Sequence, residues 1–151
     1  MPGELQPVRE LPSDETGLAF RALAALRPHL RDAAQLVDLV DRVQRPNGYR
    51  LLAAFEPDLE HAVAVAGFRV AHSLAWGRYL YVDDLSTVPE ARGRGHARRL
   101  LRWLAVEAER EGCDQFHLDS GFGPERADAH RLYLNERMTV ASLHFACRTP
   151  G

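Results

Sequence analysis

Apolar residues recur along this chain at two periods, and the changes between them mark out the elements. Residues 7–11 (PVREL) read as a short first strand. Ser13 is placed to cap a helix over 14–26, with Asp14 and Glu15 in the first turn, where the positive helix end favours acids. Pro28 interrupts the pattern. Over 31–44, Leu36, Val37, Leu39, Val40 and Val43 form a helical stripe, which the turn residues RPNG end.

The period then changes. YRLLAAF (49–55), AVAVAGFRVAHSL (62–74) and RYLYVDDLSTV (78–88) read as three successive strands, with PDLE and AWG as the connections. In the third run, Leu80, Val82 and Leu85 do not keep one phase. The slip falls at Asp83–Asp84, which is what a β-bulge produces. Helical spacing returns over 96–110, where Ala97, Leu100, Leu101, Leu104 and Ala108 share a face and Arg98, Arg99 and Arg102 lie off it. A short strand over 115–119, a loop (SGFGPE), a helix over 125–136 and a closing strand over 141–148 complete the reading. The order β-αα-βββ-α-β-α-β predicts a mixed α/β sandwich, and 151 residues suit one domain spanning 1–151.

Composition narrows the function. A net charge of −2 argues against a dedicated nucleic-acid binder, which needs a basic excess. The N-terminus lacks a signal-peptide pattern and no run is long enough to span a membrane, so a cytoplasmic protein without a membrane partner is expected. Cys113 and Cys147 make neither a disulfide framework nor a metal cluster; two free thiols and no metal are expected. All 19 basic residues are Arg, and Ile is also absent, a bias that points to a GC-rich, bacterial genome.

Against that near-neutral background, one stretch stands out: VPEARGRGHARRLLRW (88–103), which joins a strand to a helix. Amides of Gly93, Arg94, Gly95, His96 and Ala97 would converge at the positive end of the helix dipole, a site for a compact anion such as a phosphate. Arginines at 92, 94, 98 and 99 could add charge-assisted bonds; the plain alternative is a solvated helix face. A nucleotide P-loop requires Lys, which the chain lacks. A dinucleotide GxGxxG loop would need Gly where Arg98 stands, and a βαβ unit rather than a β-meander.

Arg92-Gly93-Arg94-Gly95-His96-Ala97 fits the [RQ]-x-x-G-x-[GA] pattern of the GNAT superfamily of N-acetyltransferases. The resemblance extends through DDLSTVPEARGRGHA and through ADAHRLYLNERM, which is similar to the family's A-x-x-[LF]-Y helix. It implies a mostly antiparallel central sheet flanked by helices, with acetyl-CoA as co-substrate. Leu85, Ser86 and Thr87 would pair with the pantetheine arm as an added strand would. Amides from Gly93 to Arg98 would hold the pyrophosphate, in a slot where the strand at 79–88 splays from that at 115–119. Two positions depart from the family pattern: Arg137-Met138 stands where Gly-Phe is common, and Arg126 where Asn is common.

Acetyl transfer to an amine requires a base for the amine, donors for the carbonyl oxygen and a proton for the leaving thiolate. Tyr133 is the candidate acid; the plain alternative is a packing tyrosine. Asp83 and Asp84 are the best candidate bases, weighed against surface carboxylates, and His130 is a further one, weighed against a structural or solvent-facing histidine. Since the two aspartates alternate along a strand, one of the two is expected to face the cleft, with Asp84 slightly favoured. The amide of Leu85 or Ser86 at the bulge would serve the oxyanion. Asp83, Asp119, Ser120 and His130 are candidates for lining the acceptor site, and His130 shares a helix face with Tyr133. The expected function is therefore an acetyl-CoA-dependent N-acetyltransferase. The acceptor, a small-molecule or protein amine, stays open, as does the oligomeric state, a homodimer included. The competing expectation is a non-catalytic acyl-CoA-binding module.

Overall fold

A strand whose residues alternate between two apolar layers must have helices on both faces, and this sheet does. In a computed structural model that describes residues 7–151, the described residues divide into two units, 7–118 and 119–151. The first holds a five-stranded sheet in sequential order: β1 (Arg9–Glu10), β2 (Arg50–Ala54), β3 (Ala64–Ser73), β4 (Gly77–Thr87) and β5 (Gln115–Leu118). All neighbours are antiparallel except β4 and β5, which are parallel and joined through α3 (His96–Arg110).

Leu51, Ala53, Val65 and Phe55 pack with α1 (Phe20–Leu26) and α2 (Ala33–Asp38) on one face. Leu52, Ala54, Ala66, Phe68, Leu80 and Val82 pack with Leu100, Leu104 and Ala108 of α3 on the other. The five residues 64–68 are consequently all buried, which hides the strand period that a one-sided sheet would show.

Several boundaries differ from the sequence reading. The 14–26 helix is a tight 3₁₀ segment (Ser13–Ala19) followed by α1, and the N-cap is Pro12, not Ser13, with no side-chain cap. Thr16 explains the deviation: its hydroxyl donates to Asp41 (2.7 Å) and accepts from Arg45 (2.9 Å), so a buried tertiary network, not a local cap, sets the chain path. The second helix is capped by Asp32, which accepts from the Gln35 amide (2.8 Å), and widens into a π segment over Leu39–Gln44.

The second unit contains a 3₁₀ turn (Pro124–Arg126) and α4 (Ala127–Asn135). The expected closing strand over 141–148 is absent: these residues are exposed, and no ladder among the described residues includes them. The alternation of Leu143 and Phe145 with Ser142 and His144 is strand-like, but a strand forms only where a second backbone pairs with it.

Candidate functional site

The loop before α3 is shaped by its glycines. β4 ends where the Val88 amide donates to the Val63 carbonyl (2.8 Å), and a 3₁₀ turn over Pro89–Ala91 follows. Gly93 and Gly95 then take φ of 78° and 84°, and Gly95 is the N-cap of α3. A Cβ on either would meet no atom within 4 Å, so the left-handed backbone, not crowding, requires glycine here. Among the described residues, the amides of Gly93, Arg94, Gly95, His96 and Ala97 donate to no backbone carbonyl, and no side chain caps the helix. This leaves a row of donors at a positive helix end.

Two neighbouring side chains are bound to Glu56, and of these only Arg94 was read from the sequence as a side-chain ligand contact. Arg94 donates to both oxygens of Glu56 (2.7 Å each), and the imidazole of His96, 2% exposed, lies 2.9 Å from the same carboxylate. His96 accordingly offers a ligand its amide and not its ring, and Arg94 braces the loop. The bond from His96, then that from Arg94, holds the Glu56 carboxyl below its ordinary range. Glu56 escaped the sequence reading because it lies in the β2–β3 connection, 40 residues before His96, and nothing local marks it. Arg92 and Arg98 are exposed and Ala97 is half-buried on the first turn of α3.

The strand beside this loop has one open edge. β3 pairs with β4 along its whole length, to Ala64 opposite Thr87. β5 pairs only with Tyr79–Val82, ending at Val82 opposite Leu118. Leu85, Ser86 and Thr87 are therefore bonded on the β3 side and carry no ladder on the β5 side. The two strands part at the position where an amide-rich ligand could be paired as a strand.

The bulge lies where the phase slip predicts. Gly67 faces Asp84 and Phe68 faces Val82, leaving Asp83 as the extra residue. It breaks the alternation expected of the acidic pair. Asp83 accepts a bidentate fork from Arg69 (2.8 Å twice), whose position two residues after Gly67 puts it on the α1–α2 side. Asp84 accepts from Tyr49 (3.0 Å), part of the core on that same side, and from Arg27 at the end of α1 (3.0 and 2.9 Å). Both carboxylates are thus held on one side of the sheet, against the expectation that a single one would be. Tyr49, Arg27 and Arg69 were missed by the sequence reading, since each comes from a different element.

The second unit places Tyr133 and His130 on α4. Burial pushes the Tyr133 hydroxyl above its ordinary range, against a smaller opposing effect of Arg126, so it is protonated at neutral pH. His130 Nε2 lies 3.0 Å from Ser120 Oγ and from the Gly121 carbonyl, while Asp119 lies 2.9 Å from His144. After α4 the chain makes a Schellman turn: Met138 N–H donates to the Tyr133 carbonyl (3.0 Å) and Arg137 N–H to that of Leu134 (3.1 Å). Arg137 occupies its left-handed position, φ 67°, where a glycine is usual.

Residues 9–137 match the model of the acetyltransferase (GNAT) family. The chain belongs to the GNAT acetyltransferase family. An uncharacterized N-acetyltransferase of Bacillus subtilis (strain 168), YhdJ, is 30% identical over 133 residues, covering 87% of this chain and 90% of that protein. Among solved structures, the fold is shared with a Trypanosoma brucei acetyltransferase (TM-score 0.78, 17% identity, 97% of this chain and 100% of that one). It is shared equally with the aminoglycoside N-acetyltransferase AAC(6')-Iy in complex with CoA (TM-score 0.78, 16% identity, 99% and 98%). A ribosomal-protein-alanine N-acetyltransferase from Brucella melitensis biovar Abortus 2308 is similar too (TM-score 0.78, 19% identity, 95% and 100%). The GNAT match covers residues 9–137 and so reaches well beyond the glycine loop.

Proposed function

We propose that this protein is an acetyl-CoA-dependent N-acetyltransferase that passes the acetyl group directly to an amine, with residues 1–151 working as one catalytic domain. The observation that carries the reading is the conjunction, at one end of β4, of an unpaired strand edge with a row of undonated amides. The edge at Leu85, Ser86 and Thr87 suits the two amides of pantetheine. The amides of Gly93 to Arg98 suit the pyrophosphate, with Arg92 supplying charge from an exposed position.

In this scheme the acceptor amine loses a proton to Asp84, directly or through water, and its nitrogen attacks the thioester carbonyl. The Leu85 or Ser86 amide at the bulge donates to the oxyanion. The C–N bond forms, the C–S bond breaks, and Tyr133 protonates the departing thiolate. A phenol held protonated by burial fits that role. Asp83, Asp119 and His130 are assigned to the acceptor side. A homodimer belongs to the proposal because Leu143 and Phe145 stand exposed on a strand-patterned segment; sedimentation of the purified chain decides it.

A second reading, a non-catalytic acyl-CoA-binding module, draws on one observation: both Asp83 and Asp84 are ion-paired to arginines. One experiment separates the two. The purified chain is given acetyl-CoA with a panel of polyamines, aminoglycosides, arylalkylamines and peptides with free α-amines, and released thiol and acetylated product are measured. Product formation supports the enzyme. Tight CoA binding with no product across the panel supports the module.

A further inference from the structure

The carboxylate assigned above as base is held by two side chains, and a third element makes room for one of them. Tyr49, which leads into β2, is 5% exposed, and its hydroxyl donates to Asp84 Oδ2 (3.0 Å). Reaching that oxygen requires the ring to cross β3, and it crosses at Gly67. A Cβ there would stand 1.8 Å from the Tyr49 hydroxyl oxygen and 2.3 Å from its Cζ, so any other residue would displace the ring. Gly67 is also the cross-strand partner of Asp84, a register that the Asp83 bulge creates. The bulge, the missing side chain and the tyrosine thus form one arrangement.

The charges around Asp84 complete it. Arg27, from the end of α1, donates from Nε to Oδ1 (3.0 Å) and from Nη2 to the Asp83 carbonyl (3.1 Å), with Nη2 also 2.9 Å from Oδ1 as an ion pair. Asp83, next in the chain, is occupied by Arg69. Oδ1 thus faces the Arg27 guanidinium, and Oδ2, with one bond from Tyr49, keeps a second lone pair. Burial, with the neighbouring charge of Asp84, pushes the Tyr49 hydroxyl well above its ordinary range, so it serves as a permanent donor.

We infer that Tyr49 is a positioning residue for the acceptor-side base: with Gly67 making room and Arg27 closing the opposite side, it aims the remaining lone pair of Asp84 Oδ2 at the acceptor amine. This rests on the reading of Asp84 given under the proposed function. It adds that Asp84, and not Asp83, is the working carboxylate, because the Arg69 fork occupies both oxygens of Asp83 while the Arg27 contact falls on Oδ1 of Asp84 and leaves Oδ2 to Tyr49.

The test is Tyr49→Phe in the full chain, which keeps the ring and removes one hydrogen bond. With acetyl-CoA and the panel amine that the parent protein acetylates fastest, kcat/KM for the amine falls by roughly 10- to 100-fold, the scale of a lost bond to a charged group. KM for acetyl-CoA is unchanged. In the Asp84→Asn background Tyr49→Phe costs nothing further in kcat, because the hydroxyl acts through that carboxylate. Urea unfolding of the parent, both single variants and the double variant reads the Tyr49–Asp84 coupling without any acceptor. Gly67→Ala, which displaces the ring, reproduces the pattern. An unchanged kcat/KM in Tyr49→Phe, or the same loss when Asp84 is already Asn, would overturn the inference. A parent protein that acetylates no amine, with Tyr49→Phe and Asp84→Asn still non-additive in stability, would remove the proposed function and leave the coupling established.

Discussion

Gly95 offers the sharpest test of the phosphate loop. It caps α3 at φ 84° and ψ 9°, with nothing within 4 Å of where a Cβ would stand. Gly95→Ala therefore introduces no clash. Its cost is the left-handed strain of an L-residue, about 1–2 kcal/mol of stability, which urea unfolding measures. The functional cost is larger. If the backbone relaxes to relieve the strain, the amides of Gly95 and His96 turn away from a shared ligand. Each amide–phosphate bond is worth about 1.5–3 kcal/mol, so losing two costs about 3–6 kcal/mol, or roughly 10²- to 10⁴-fold in Kd for CoA by calorimetry. Gly95→Glu carries the same strain and adds a negative charge beside the phosphates, and its CoA binding falls below detection. Both variants binding CoA with the parent Kd, despite the stability loss, would refute the assignment of this loop.

Four further outcomes follow from the same geometry. Tyr133→Phe lowers kcat by at least about tenfold while the Kd for CoA stays within about twofold, on the scale of general acid catalysis; an unchanged kcat removes Tyr133 as the acid. Arg137→Gly relieves the left-handed strain at the Schellman turn and raises stability by about 1 kcal/mol, read as a higher urea midpoint at constant m-value; a lower midpoint would contradict the strain. The Glu107 carboxyl is held down to about 2, first by Arg110 and then, against the effect of burial, by Arg50. Its folded value lies below the unfolded 4.5, so its stabilisation is complete above that pH and lost as pH falls toward 2; the stability gap between the parent and Glu107→Gln narrows over that interval, and a gap independent of pH would sink the argument. Glu56→Gln weakens both bonds that brace the loop and lowers CoA affinity together with stability; CoA affinity equal to that of the parent would show that the brace does not matter to the ligand.

The sequence by itself determined whatever is written in local periods and short motifs. α3 begins and ends where its apolar spacing says, because one continuous stripe faces one sheet. The bulge at Asp83 was legible because adding one residue to a strand reverses the faces of all that follow. The glycine loop was legible because left-handed angles at a helix N-cap leave little choice of residue. Tertiary structure decided what depends on residues far apart in the chain. Glu56 engages the side chains of Arg94 and His96 across 38 and 40 positions, and so makes them a brace for the loop while their amides stay on it. Tyr49 and Arg27 meet Asp84 across 35 and 57 positions, and no spacing rule pairs a buried phenol with a distant carboxylate. The segment over 141–148 shows the opposite failure: its alternation is real, but alternation states only which face is apolar. Whether it becomes a strand depends on a pairing backbone, and only the three-dimensional arrangement supplies that partner.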